Sequence, residues 1–233
     1  GLVSVYAKHY ALNLPTSVKY AVTIREMVGT KNIYAGIKNF EKRHMEAYYC
    51  PTAEEAVNKA LELIPEGSSM TWGGSMTIRD MGLVKALHEK NYDIFDRDLC
   101  TDPEENQKAM RRAFSMDWFI TSANAVSEDG QIVNIDGSGN RVAAITFGPK
   151  NVLMVISLDK VCQDVEAAVK RARSTAAPIN AARFDNIKTP CKVDGTCHDC
   201  NAPGCICSCI HILRNSMFDK RIKIILTEEK FGF

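Results

Sequence analysis

The chain has 233 residues, with 29 basic against 28 acidic side chains and a formal net charge of +1. A length of this order suits one sizeable α/β domain better than two small ones, and the balanced charge provides no field that would favour nucleic acid or a membrane surface. Apolar runs such as 152–156 fall far short of the roughly 20 residues that span a bilayer, and the start, Gly1-Leu2-Val3-Ser4, shows no basic-then-apolar leader. The expectation is therefore a cytoplasmic protein without membrane segments.

In chain order, the first fifty residues read as an N-terminal helical extension. Segments 17–28 and 33–45 carry apolar residues at mixed three- and four-residue spacing, interrupted at Gly29 and Gly36. From residue 51 the texture changes to alternating units. Thr52 with Glu55 forms a capping box that opens a helix to Leu63. Pro65-Glu66-Gly67 turns the chain, 68–72 reads as a strand, and Ser75 is placed to cap a helix running through His88 that Gly82 breaks or bends. A strand is expected over 92–95. Asp102-Pro103-Glu104-Glu105 then combines a cap, a first-turn proline and acids at the positive end of a helix dipole.

Segments 118–121 and 151–157 are apolar enough to be central strands buried on both faces. Between them 131–135 reads as part of a hairpin bracketed by Asp129-Gly130 and Asp136-Gly137. An amphipathic helix over 163–176 and a last strand over 221–227 complete the series. Strands alternating with helices predict an α/β fold, a mostly parallel sheet covered by helices on both faces, over 51–233 behind the extension at 1–50.

Two loops concentrate polar groups at predicted strand ends, where open α/β sheets bind ligands. In the first, Gly73 and Gly74 let backbone N–H groups approach an anion, with the hydroxyls of Ser75 and Thr77 at a helix start. The same residues also serve a tight strand-to-helix turn with a serine cap. The second loop holds Asn124, Glu128, Asp136, Gly137, Gly139, Asn140 and Arg141. There Glu128 is the candidate base or nucleophile, Arg141 an anion clamp, and Asn124 and Asn140 orienting donors; turn closure alone accounts for the same residue types. Lys160 follows another predicted strand toward the same edge, although an ordinary solvated lysine is the simpler reading. No G-x-G-x-x-G fingerprint is present, so no flavin or nicotinamide cofactor is expected.

Six of the nine cysteines crowd into a loop over 189–210: Cys191, Cys197, Cys200, Cys205, Cys207 and Cys209. Soft-metal ligation, a disulfide framework and inert thiols all produce such crowding. The other three, Cys50, Cys100 and Cys162, are scattered singly, as in a reducing compartment, which favours metal or redox use over disulfides.

The motifs Trp-Gly-Gly-Ser-Met-Thr (72–77), Ser-Ala-Asn-Ala-Val-Ser-Glu-Asp-Gly (122–130), Asn-Ile-Asp-Gly-Ser-Gly-Asn-Arg-Val-Ala-Ala (134–144) and Phe-Gly-Pro-Lys (147–150) occur in that order. Ala-Ala-Pro-Ile-Asn-Ala (176–181) and Thr-Pro-Cys…Gly-Thr-Cys-His-Asp-Cys (189–200) follow. In these the chain closely resembles the lactate-utilisation (LUD) domain family, over about 45–233. The resemblance implies a single α/β domain of the NagB/RpiA/CoA-transferase-like superfamily, in a family some of whose members take part in oxidation of lactate to pyruvate beside iron–sulfur partner proteins.

It also maps the cysteine pattern of one branch onto Cys191, Cys197, Cys200 and Cys207, a set suited to zinc or a small iron–sulfur cluster. Cys205 stands where that branch has arginine, which leaves Cys205 and Cys207 both open as fourth ligand. Ser127-Glu128-Asp129-Gly130 is similar to the Ser-Glu-Asn-Gly signature of CoA transferases, with Asp129 in place of asparagine. The leading expectation is a LUD-type protein of lactate or organic-acid utilisation, transferring electrons through a cysteine-ligated metal or iron–sulfur site. The alternatives are a stand-alone enzyme on small phosphorylated, carboxylated or CoA-linked substrates using Glu128, and a zinc-stabilised metabolite-binding module. The partners implied are a small anionic metabolite and an iron–sulfur protein, not nucleic acid or membrane, with homo-oligomerisation left open.

Overall fold

The computed structural model describes residues 33–233; the helix expected over 17–28 lies outside them. Residues 33–42 form helix α1. It is followed by β1 (Glu46–Tyr49), α2 (Ala53–Leu63), β2 (Ser69–Trp72), α3 (Met76–Asp80), α4 (Leu83–His88), β3 (Asp93–Ile94), α5 (Pro103–Arg112), β4 (Trp118–Thr121), β5 (Ala125–Ser127) and β6 (Ile132–Asp136). The second half contributes α6 (Asn140–Thr146), β7 (Asn151–Ser157), β8 (Val161–Cys162), α7 (Val165–Arg171), α8 (Ala177–Ala182), α9 (Pro190–Asp194), β9 (Cys209–Leu213) and β10 (Ile222–Thr227).

Local signals account for most of these boundaries. The Thr52 hydroxyl accepts from Glu55 N, and the Asp102 carboxylate from Glu104 N with Pro103 in the first turn. Gly82, in the left-handed region at φ 83°, separates α3 from α4. Ser75 precedes α3 but makes no capping hydrogen bond through its side chain, contrary to the expected role. The helix expected to stop near residue 176 instead passes through a π turn at Ala172–Ala176 into α8, with Pro178 in the first turn of that segment.

The main sheet has the order β1-β10-β7-β4-β2-β3, and every neighbouring pair is parallel. Alternate residues of its central strands feed two cores. Val152, Met154, Ile156, Ile222, Ile224 and Leu226 pack with Phe40 of α1, Ala144 and Ile145 of α6, and Val126 and Ile132 of the hairpin. Leu153, Val155, Ile225, Trp72 and Trp118 face the other way, onto Ala56 and Ala60 of α2, Ile78 of α3 and Leu83 and Leu87 of α4. Each such aliphatic side chain contributes about 1.5–3 kcal/mol on burial, which accounts for the apolar runs of β7 and β10.

Helices thus cover both faces of the main sheet as expected, and a second sheet shares part of one face. That sheet has the order β8-β5-β6-β9, with β5–β6 and β6–β9 antiparallel and β5–β8 parallel. Its other side packs Ala125, Val133 and Ile135 against Ala168 and Ala172 of α7 and its π turn. Strand β1, within the expected extension at 1–50, pairs with β10 as an edge strand of the main sheet.

Candidate functional site

Strands β7, β4 and β2 are adjacent and parallel, so their carboxyl ends open on one edge of the sheet. Three loops leave there: Gly73-Gly74-Ser75 after β2, Ser122-Ala123-Asn124 after β4, and Leu158–Lys160 after β7. Together with the 135–141 segment they enclose a cavity of about 520 Å³. This is the crevice in which open α/β sheets hold ligands.

The structure brings nine of the expected site residues to this cavity: Gly74, Ser75, Thr77, Asn124, Asp136, Gly137, Asn140, Arg141 and Lys160. Gly73 and Gly139 sit behind its wall. A Cβ at Gly73 would lie 3.4 Å from Phe119 and Thr121, and one at Gly139 would lie 3.3 Å from Cys209 Sγ. Glu128 is not brought to the cavity. It is exposed at the far end of β5, where its backbone accepts from Asn39 Nδ2 and its N–H donates to Cys162 O. The three residues of β5 carry it about 10 Å beyond the strand's cavity end. Helix α3 has five residues, so charge at this site comes from side chains rather than from a helix dipole.

Five basic side chains line the cavity, Arg79, Arg97, Arg141, Lys160 and Arg183, against two carboxylates, Asp98 and Asp136. Both carboxylates are already engaged. Arg79 Nη2 reaches Asp98 Oδ1 at 2.8 Å, and Arg79 Nη1 donates to Ser75 O at 2.6 Å, which ties the glycine loop down. Arg141 Nε donates to Asp136 Oδ1 at 2.8 Å, while its Nη2 serves Asn124 Oδ1 at 2.7 Å and Ile135 O at 2.8 Å. Asp136 Oδ2 accepts from Val142 N, fixing the start of α6. Arg141, Asp136 and Asn124 are thus wall-builders more than free ligand groups, and Asn140 accepts from Ser138.

Arg97 and Lys160 differ from these. Among the described residues no hydrogen bond or ion pair reaches the half-buried Arg97 guanidinium, and burial lowers its pKa. Lys160 is 1 % exposed, which rules out the ordinary solvated lysine. Its Nζ donates to Thr77 Oγ1 at 2.9 Å and to Ser122 Oγ at 3.4 Å. Burial above all, then the Arg171 and Arg141 charges, lower its pKa to about 8, with Asp159 and Asp80 opposing them. A cavity with cations in excess is built for an anion with one or more carboxylate- or phosphate-like oxygens.

Sequence reasoning passed over Arg79, Arg97, Ser122 and Arg183. Arg79 lies one helical turn beyond Ser75 on α3, and that spacing was a usable signal. Arg97 lies on a short 3₁₀ turn, Arg97–Leu99, after edge strand β3. Nothing local marks it.

The cysteine loop forms a second cavity of about 180 Å³, lined by Cys191, Cys197, Cys200, Cys205 and Cys207. Cys209 stands apart at the start of β9. All nine cysteines are free thiols. Cys207 N donates to Cys205 Sγ at 3.4 Å. Burial first, and then the neighbouring Cys205, Cys191 and Cys197, push the Cys207 thiol up to about 12. Among the described residues no set of three or more His, Cys, Asp or Glu side chains is arranged to hold a metal ion. The expected ligands Cys191, Cys197, Cys200 and Cys207 therefore share a cavity without forming a closed shell. The donor chemistry still suits a soft cation. Ile206 lines both cavities, and a Cβ on Gly137 would come within 3.3 Å of its Cα.

Among the described residues no helix is long and apolar enough to cross a membrane. The family model of the LUD domain matches residues 34–227. Comparison with curated proteins gives no match. Among solved structures, a DUF162 family protein from Deinococcus radiodurans is similar at 14 % identity, covering 85 % of this chain and 97 % of that one with a TM-score of 0.49. Ribose 5-phosphate isomerase A from Methanocaldococcus jannaschii is similar at 14 % identity over 47 % of this chain and 53 % of that one, with a TM-score of 0.31.

Proposed function

Because the chain belongs to the LUD domain family, we propose that it serves lactate or related organic-acid utilisation, holding a small carboxylate in the strand-end cavity and transferring electrons through the cysteine cavity beside it. The observation that carries this reading is the presence of Arg97 and Lys160 in one crevice, neither of them hydrogen-bonded or ion-paired to a carboxylate among the described residues. A substrate carboxylate supplies that partner. The planar guanidinium of Arg97 offers paired donors to it. Arg141 and Asp136 keep the wall in place, the hydroxyl of Ser75 is available to a substrate's oxygen, and those of Thr77 and Ser122 hold Lys160. Lys160, with its lowered pKa, can hold or release a proton near neutral pH.

Cys191, Cys197, Cys200 and either Cys205 or Cys207 would hold zinc or a small iron–sulfur cluster. A cluster bound there would supply one-electron transfer, with an iron–sulfur protein as exchange partner. Ile206 lines both cavities, and this adjacency supports coupling the two chemistries. A zinc-stabilised binding module is the second reading, favoured by the same thiol set. The CoA-transferase-like reading is weaker, since Glu128 lies outside the cavity.

Two measurements test the proposal. Calorimetric titration with L-lactate and with pyruvate should show binding that Arg97→Met weakens. Elemental analysis and visible absorption of anaerobically purified protein should show iron and sulfide. Zinc in colourless protein would move the assignment to the binding module, and the absence of any carboxylate binding would end both.

A further inference from the structure

We propose that Lys160 is a covalent nucleophile whose Nζ condenses with the carbonyl carbon of a small 2-oxo carboxylate in the strand-end cavity to form an imine. This rests on the carboxylate reading of that cavity and goes beyond it by naming the reacting atom and the substrate class. The side chain is 1 % exposed yet lines the cavity, so it reaches the ligand space from a desolvated position. Among the described residues it has no ion-pair partner, whereas Arg79 and Arg141 each have a carboxylate. A lysine kept only for charge would be better served by such a counterion, because burying an unpaired ammonium is costly.

The hydroxyl geometry favours the neutral amine. Thr77 Oγ1 donates its own proton to Phe231 O at 3.1 Å, so it accepts from Nζ at 2.9 Å. Ser122 Oγ, which donates to Ala123 O, takes the second N–H at 3.4 Å. With both N–H bonds of the neutral amine engaged, its lone pair is left for the cavity. The lowered pKa, about 8, supplies that neutral form at ordinary pH.

In the step itself, the Nζ lone pair forms a bond to the carbonyl carbon, and the carbonyl π pair moves to oxygen. That oxygen takes up the proton shed by nitrogen. The carbinolamine then loses its oxygen as water while nitrogen forms the C=N bond. Amine plus carbonyl gives imine plus water, with no change of oxidation state and no co-reactant. Arg97 holds the carboxylate while the carbonyl faces Lys160.

The test uses the full chain with pyruvate as the simplest 2-oxo acid, trapped by borohydride. Intact mass and peptide mapping should show one reduced adduct per chain, on Lys160, with a yield that rises as pH is raised through about 8. Lys160→Arg should lose the adduct. The wild-type peptide map decides the matter even if that variant fails to fold. Binding of pyruvate with no adduct, or with the adduct on another lysine, overturns the imine and leaves the carboxylate pocket standing. Failure of both pyruvate and lactate to bind removes the pocket reading, and the imine with it.

Discussion

Lys160 Nζ and Thr77 Oγ1 meet at 2.9 Å across 83 residues of sequence, joining the end of β7 to the first turn of α3. The lysine's folded pKa of about 8 lies below its ordinary 10.5. Protonation is therefore easier in the unfolded chain, and the penalty is full below about pH 8. It fades as pH rises from about 8 to 10.5, where the unfolded state still holds the proton that the folded state has lost. Lys160→Met should stabilise the unliganded protein by roughly 3 kcal/mol at pH 7, with the gap closing toward pH 10.5. Urea melts at several pH values measure this; a variant less stable than wild type at pH 7 contradicts it.

Arg97 makes no hydrogen bond that folding depends on, yet it faces the cavity. Arg97→Met should weaken carboxylate binding by about 1.5–3 kcal/mol, roughly a tenfold to hundredfold rise in Kd, because a charge-assisted pair is lost. Thermal stability should hold or rise slightly. Calorimetry and a melting curve on the same preparation separate the two effects.

Arg221 is 9 % exposed and donates to Pro149 O, Ile145 O and Ala144 O, the last two at the C-terminal end of α6. Helix ends leave such carbonyls without intrahelical partners. Arg221→Met should cost about 2–4 kcal/mol by orphaning three buried acceptors. Arg221→Lys should recover only part, since one ammonium cannot fork to all three. Equal stability of wild type and Arg221→Met would refute this assignment.

Glu128→Gln should leave carboxylate affinity unchanged and shift stability by less than about 0.5 kcal/mol, as expected of an exposed side chain away from the cavity. Two residues on, Gly130 has φ 89° and a Cβ there would meet Asn39 C at 3.0 Å. Gly130→Ala should cost about 1–3 kcal/mol. The pair of variants contrasts a functional expectation with a structural one on the same turn.

A metal or cluster bound by the cysteine loop at a hundred times its Kd should stabilise the fold by about 2.7 kcal/mol. A chelator should remove that increment. Cys197→Ala and Cys200→Ala should abolish it, while Cys50→Ala, buried against α2 and the main sheet, should not alter metal content. Metal analysis alongside thermal melts reads both.

Much of the main sheet was legible in the residues themselves. The apolar runs of β4 and β7 read as doubly buried strands, and Thr52 and Asp102 announced their helices, because periodicity and capping depend on neighbours within a turn. The strand-end loops and the crowding of thiols were visible for the same reason. Tertiary structure decided the rest, because burial and charge pairing are set by side chains far apart in the chain. It turned β1 into an edge strand, since Glu46–Tyr49 lacks the apolar run of β7 and is specified by its pairing with β10. It carried Glu128 away from the crevice along β5. It enclosed Lys160 between Thr77 and Ser122 without a carboxylate, which no local pattern around residue 160 encodes.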